Sequence, residues 1–282
     1  MTKAFCPGHI TCFFSPAPSN DMMTSGSLGA GIRLNKGVTV TLEERSGNII
    51  KTIMDGRVCN AEVSRRVIEM MAPGRGFDVT IENELPVSQG FGMSAAGAVA
   101  VGLCVSSITG SDEFSAYRAA HIAELEKGGG LGDVAGIMGG RQPVRVKAGI
   151  PPFGRVIDTG IEMRISVAVL GPPMVTGNVL SDRNIMKRIQ QAGERCLKEY
   201  VNDASESSLY RISSSFSEAI GLETDAVRNA LSLLRKDHKA SMCMLGNSIF
   251  TDAGKGEVQE MLRNADVTEC ISCTGGPIIR KA

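Results

Sequence analysis

The sequence predicts an α+β fold built from two units, residues 1–160 and 161–282. Length is the first sign: 282 residues suit one large domain or two smaller ones packed together. Strand and helix patterns form the second, because they segregate along the chain. No regular βαβα alternation appears, which argues against a doubly wound parallel sheet. The third is a strong β run over Met163–Leu170 that opens a second unit after Gly139-Gly140 and two short strands.

In chain order, Gly37–Glu43 (Val38, Val40, Leu42) and Phe77–Glu82 (Phe77, Val79, Ile81) alternate like half-buried strands. Between them Val58–Met71 reads as a helix. Met93–Ile108 and Asp112–Lys127 read as two more, the second capped by Ser111 and stopped by Gly128-Gly129-Gly130. Short strands follow at Pro143–Lys147 and Arg155–Asp158. After Met163–Leu170, helices are expected near Asp182–Tyr200, Ser208–Ala219 and Thr224–Lys236. Strands are expected at Ala240–Leu245, Ser248–Thr251, Val267–Ser272 and Pro277–Lys281.

Composition narrows the function. Lys plus Arg and Asp plus Glu balance at 30 each, which argues against a basic face for nucleic acid or an acidic interaction tail. Tryptophan is absent and aromatics are few, so a platform for stacking bases is not expected. A small molecule is the expected partner. The 33 glycines follow no collagen period and point to tight turns and close backbone approaches. The eight cysteines are irregularly spaced and no signal peptide is apparent, so free thiols in a reducing cytoplasm are expected. Cys270 and Cys273 have metal-ligand spacing but no second pair, and read as two thiols on a strand. Leu85–Ser111 carries no charge, yet its apolar part, Met93–Ile108, is about two residues short of a membrane span and rich in small residues. A buried helix is expected instead, with no membrane partner.

Three elements carry chemistry. In the segment Pro86-Val-Ser-Gln-Gly90-Phe91-Gly92-Met93-Ser94-Ala95-Ala96, the two glycines admit close approach of a phosphate chain. The helix that follows aims free N–H groups and its positive dipole end at that site. The Lys-Ser/Thr of a P-loop is missing, and a turn before a buried helix is the alternative. Ser94 at the helix mouth offers a hydroxyl to Mg²⁺. Next, Phe114, Tyr117, His121 and Glu124 share one helix face, placing a carboxylate on the inward stripe. A buried Glu needs a cation, either a basic side chain or a metal. His121 reads as a packed core residue. Last, Asp133 closes Gly128-Gly-Gly-Leu-Gly132 ahead of Gly139-Gly140, and is either a base for a substrate hydroxyl or a helix N-cap.

A glycine-serine loop, a helical Glu and a glycine-flanked Asp, in this order, resemble the GHMP-superfamily kinases. Within these, Phe5-Cys-Pro-Gly-His9-Ile-Thr11-Cys-Phe-Phe14 and Ser25-Gly-Ser27-Leu-Gly29-Ala-Gly31 resemble the archaeal-type pantoate kinases. Pro143-Val-Arg145-Val, Pro151-Pro-Phe-Gly154, Thr176-x-x-Val-Leu180-Ser-Asp182 and Met244-Leu-Gly-Asn-Ser-Ile-Phe250 extend the likeness over nearly the whole chain. The resemblance implies an N-terminal domain like ribosomal S5 domain 2 and a ferredoxin-like C-terminal domain. It implies that Gly90, Gly92, Met93, Ser94 and Ala95 line the ATP phosphates, with Pro86, Phe91 and Ala96 in the same loop. Ser94 and Glu124 would hold Mg²⁺, and Asp133 would deprotonate or orient the acceptor hydroxyl.

The implied reaction is ATP-dependent phosphorylation of pantoate to 4-phosphopantoate, on the way to coenzyme A. A carboxylate substrate needs a cation, for which Arg145 is the candidate, with His9, Thr11 and Ser27 beside the acceptor. The superfamily's first motif usually carries a basic residue, and this chain offers only His9 there. The charge on the transferring group is thus left without an assigned partner. The alternatives are a kinase of the same fold for homoserine, shikimate or mevalonate-type acceptors, and a ligand sensor without turnover. The resemblance admits a homodimer, since superfamily kinases are often dimers, and the sequence patterns themselves do not fix the oligomeric state.

Overall fold

The computed structural model describes residues 1–174 and 182–281. The Thr176-to-Ser181 part of the segment noted above lies outside the described residues. The first sheet contains β1 (Thr2–Ala17), β2 (Gly26–Arg45), β3 (Ile50–Met54), β4 (Arg57–Cys59), β5 (Gly76–Asn83), β6 (Pro143–Lys147), β7 (Arg155–Asp158) and β12 (Ile278–Lys281). Its order is β12-β1-β2-β5-β3-β4, with β6 on β2 and β7 on β6. The second sheet holds β8 (Arg164–Val169), β9 (Ala240–Met242), β10 (Ser248–Thr251) and β11 (Asp266–Ile271) in the order β11-β8-β10-β9. All its neighbours are antiparallel. The helices are α1 (Glu62–Met71), α2 (Met93–Thr109), α3 (Glu113–Glu126), α4 (Asp133–Met138), α5 (Arg183–Asn202), α6 (Glu206–Ile220), α7 (Asp225–Leu234) and α8 (Lys255–Met261).

Helix α2 is the centre of the first unit. It packs on β1, β2, α1 and α3, and its residues from Ala95 to Ser106 are buried on every side, which explains its lack of charge. No described helix is long and apolar enough to cross a membrane. The second half of β1 reaches the other unit. Phe13 meets Tyr200 of α5 edge to face at 5.7 Å, and Phe14 meets Phe216 of α6 at 5.8 Å. Ser213 of α6 donates to the Cys12 carbonyl at 2.8 Å. A buried strand thus ties the two layers of helices to one sheet.

Several expectations are corrected. The helix expected from Val58 starts only at Glu62, because Asp55 and Gly56 both have positive φ and close a β3–β4 hairpin that takes Arg57–Cys59 into the sheet. Helix α3 is capped by Asp112, not Ser111: the Asp112 carboxylate accepts from the Ser115 N–H at 2.7 Å, while Ser111 bonds Thr109. The strand expected over Ala240–Leu245 ends at Met242, where the chain turns and the Cys243 N–H donates to the Ser248 carbonyl. The long strand β1 and the short helix α8 were not anticipated. Asp182, in contrast, caps α5 by accepting from the Asn184 and Ile185 N–H groups at 2.8 and 3.0 Å.

Candidate active site

A cavity of about 350 Å³ opens where the α2 N-terminus, the end of α3, the start of α4 and the Met244–Leu245 turn converge. Gly90 and Gly92 both have positive φ, and Gly92 caps α2. A Cβ on Gly90 would lie 2.8 Å from the Met244 carbonyl oxygen, so the loop is pressed against the second unit. Gln89 locks it there. Its amide accepts from the Asn247 N–H at 3.0 Å and donates to the Gly171 carbonyl at 2.9 Å, and the Ser248 hydroxyl donates to the Gln89 carbonyl at 2.6 Å. Gly92, Met93 and Ser94 therefore present the first, unpaired N–H groups of α2 along a fixed wall, which is an anion-binding geometry.

Glu124 is 2% exposed and faces the cavity from α3. Ser94 Oγ donates to its Oε1 at 2.5 Å, and the Gly130 N–H donates to its Oε2 at 2.6 Å. No basic side chain pairs with it among the described residues, which removes the salt-bridge reading. Burial pushes its carboxyl up to about 7, against the hydrogen bonds from Ser94 and Gly130, while the Asp133 charge adds to the rise. A hydroxyl and a carboxylate in contact form a hard oxygen pair that suits Mg²⁺, which usually takes few protein ligands and fills its octahedron with phosphate and water oxygens.

Asp133 is the first residue of α4 and not its cap, which is Gly132. Its side chain turns inward instead. Oδ1 lies 2.8 Å from His9 Nδ1 and accepts from Thr11 Oγ1 at 3.4 Å. Burial raises the Asp133 carboxyl, but the His9 hydrogen bond, the nearby Arg145 charge and the Thr11 hydroxyl outweigh it and hold it below the ordinary range. The two carboxyls are thus shifted in opposite directions, Asp133 toward its ionised form and Glu124 toward its protonated one.

The remaining expected residues divide between the wall and the layer behind it. Thr11 and Ser27 line the cavity with Gly90, Gly92, Met93 and Ser94. Pro86 is exposed away from it, and Phe91, Ala95 and Ala96 are buried under the loop. His9 is fully buried behind Asp133 and has no place on the wall. Arg145, on β6, is 1% exposed, and all three of its guanidinium nitrogens lack a partner among the described residues. A Cβ on Gly132 would lie 2.7 Å from Arg145 Nε, so this cation sits directly behind the Gly132 part of the wall. His121 packs in the core and meets the Met22 carbonyl at 2.9 Å.

Sequence reasoning missed Lys127, Phe14, Ser88, Leu131 and Met174 on the wall. Lys127 is the one cationic side chain there among the described residues. Its position at the C-cap of α3, three residues after Glu124, was the available signal.

Residues 59–141 match the family model of the GHMP kinases N-terminal domain. Over most of its length the chain is similar to curated pantoate kinases. It is 32% identical to that of Thermococcus kodakarensis, covering 89% of this chain and 87% of the relative. It is 31% identical to that of Methanospirillum hungatei, covering 98% and 95%. A solved structure described as a phosphotransferase related to the CoA biosynthesis pathway superposes with a TM-score of 0.89 at 29% identity, over 99% of this chain and 98% of that one. A mevalonate kinase structure shares the fold alone, with a TM-score of 0.66 at 12% identity over 97% of this chain and 99% of that one. With the glycine loop, the Ser94–Glu124 pair and Asp133 gathered on one cavity, and with relatives this similar over nearly the full chain, the protein belongs to the pantoate kinase family of the GHMP kinases.

Proposed function

We propose that the protein transfers the γ-phosphoryl group of ATP to the primary hydroxyl of pantoate, giving ADP and 4-phosphopantoate. The observation that carries this reading is the convergence of an anion-binding helix mouth, a hard oxygen pair and an ionised carboxylate on a single cavity. The acceptor oxygen forms a bond to the γ-phosphorus, the bond from that phosphorus to the bridging oxygen breaks, and the hydroxyl proton passes to Asp133. Little covalent work falls to the protein, so catalysis is positioning and charge neutralisation.

Each residue then has a role. Gly90, Gly92, Met93 and Ser94 hold the phosphates through backbone N–H groups. Ser94 and Glu124 would hold Mg²⁺, which supplies positive charge to the phosphate oxygens. Lys127 adds a cation from the cavity wall, which gives the transferring group the partner that the first motif lacks. Arg145, with Ser27 at its side, takes the pantoate carboxylate once residues 128–132 move aside, since a buried guanidinium without an anion is costly. The free thiols of all eight cysteines suit a reducing cytoplasm.

An ADP-release assay with pantoate, pantothenate, homoserine, shikimate and mevalonate offered separately should give turnover with pantoate alone. Asp133→Asn should reduce that turnover roughly 10²-fold or more with ATP affinity little changed. Turnover with a different acceptor would overturn the substrate, and an active Asp133→Asn would remove the base. Arg145→Ala should raise the pantoate KM at least about tenfold while the ATP KM holds, and an unaltered pantoate KM would sink that assignment. Lys127→Ala should lower kcat by roughly tenfold to a hundredfold, with secondary structure intact by circular dichroism; wild-type kcat would show that its charge is not used.

Glu124 yields a pH prediction. Its folded pKa, about 7, stands above the ordinary 4.5, so the stability linked to its protonated form is complete below about 4.5 and is lost as pH rises through about 7. Without Mg²⁺ or nucleotide, urea unfolding of Glu124→Gln and wild type should converge at pH 5 and separate at pH 8. The variant should be the more stable there, by on the order of 3 kcal/mol. Parallel curves at both pH values would show that burial does not penalise the carboxylate.

A further inference from the structure

His9 and Asp133 lie 124 residues apart in sequence and meet at 2.8 Å. The Asp133 carboxylate is bonded asymmetrically: His9 and Thr11 both engage Oδ1, and no described group bonds Oδ2. That second oxygen sits beside Gly130 of the cavity wall, where a Cβ would collide with it. One oxygen is anchored in the protein and the other is left for a ligand.

The state of the imidazole follows from its surroundings. His9 is 0% exposed, and burial pulls its pKa below the ordinary value, while the Asp133 hydrogen bond and charge only partly oppose this and Arg145 and Arg33 add to the fall. It is therefore neutral and carries one proton. Nε2 is buried without a partner among the described residues, between the Cα atoms of Gly31 and Gly136, where a Cβ on either residue would overlap the ring. A proton on Nε2 would be a buried, unbonded donor, and it would leave a lone pair on Nδ1 pointing at a carboxylate. The proton belongs on Nδ1.

We propose that His9 is the positioning residue of Asp133, its Nδ1–H donating to Oδ1 and so fixing Oδ2 as the oxygen that receives the acceptor proton. This rests on the reading of Asp133 as the base. Gly31 and Gly136 complete the device by holding the ring in a slot too narrow for any side chain, so that it cannot swing away from the carboxylate. A donor hydrogen bond to one oxygen orders the base without taking its charge, the same division of labour by which a carboxylate orients a histidine in nucleophilic triads, with the partners exchanged.

Steady-state kinetics with ATP and pantoate test the proposal. His9→Ala should lower kcat by about 10²-fold, the size of effect that a misplaced catalytic group produces, with both KM values within about threefold of wild type. His9→Asn places an amide N–H near the position of Nδ1 and should recover at least about tenfold of that loss. Gly136→Ala, which displaces the ring without touching the cavity, should also lower kcat. On the His9→Ala background it should add no further loss, because the two changes remove one interaction. A His9→Ala enzyme at full kcat beside an inactive Asp133→Asn would overturn the proposal and leave the base intact. An active Asp133→Asn would instead overturn the base. Should His9→Ala fail to fold, a His9→Asn enzyme with no measurable turnover, or an unimpaired Gly136→Ala, would equally end the proposal.

Discussion

The first half of the site depends on how closely other backbone can approach β1. Residues Cys6 to Phe14 are almost wholly buried, and neighbours press on them from several directions. Gly29 and Gly31 of β2, Gly92 at the head of α2 and Gly193 of α5 each sit where a Cβ would overlap a β1 main-chain atom. These contacts and the packing of α4 on β1 bring the Gly90–Gly92 loop, α4 and the second unit to the same strand. His9 and Thr11 can then reach Asp133 while Phe13 and Phe14 hold α5 and α6. Close-packed interiors do not stretch, so a methyl group at any of these positions must move a whole element.

The second unit matters to the site mainly as a brace. Gln89 is 2% exposed, and its amide and carbonyl are all committed to Gly171, Asn247 and Ser248. A loop held only at its ends would present its N–H groups in many directions, whereas this one is bonded across the junction between the two sheets. Arg33 works similarly at the opposite side, with its guanidinium donating to the carbonyls of Ile137, Cys273 and Thr274. Its guanidinium is committed to main-chain oxygens behind α4, whereas Arg145 is buried without a hydrogen-bond partner among the described residues.

Patterns confined to one element were legible in the sequence. The inward stripe Phe114, Tyr117, His121 and Glu124 is buried or half-buried as helical spacing requires, and the uncharged run at Met93 is the central helix. Strand β1 was not legible because it is buried on both faces and mixes Cys, Pro and Gly, so it shows no alternation. The Asp55-Gly56 turn was legible in principle but short, and a helical pattern running on from it obscured the hairpin. His9 could be picked out as the only basic residue of its segment. Its place behind Asp133 could not, since nothing local to either residue encodes a contact across 124 positions.

Two carboxylates of one cavity are driven apart in charge by what surrounds them. Glu124 is desolvated with only a hydroxyl and one N–H for company, and its pKa rises to about 7, while Asp133 has His9, Thr11 and the Arg145 charge and falls. Such divergence commonly separates roles. Glu124 gains most from an arriving cation, which would offset the cost of its ionisation and release its proton near neutral pH. The Asp133 carboxyl is shifted toward its ionised form, and a carboxylate with a lowered pKa is a weak base, so in the proposed role it would contribute little thermodynamic pull on a hydroxyl proton. In a loose phosphoryl-transfer transition state little pull is needed, because the nucleophile's proton is still largely in place when the leaving bond has stretched. Direction is then worth more than basicity. The geometry around Asp133 spends its interactions accordingly, on fixing one oxygen and exposing the other.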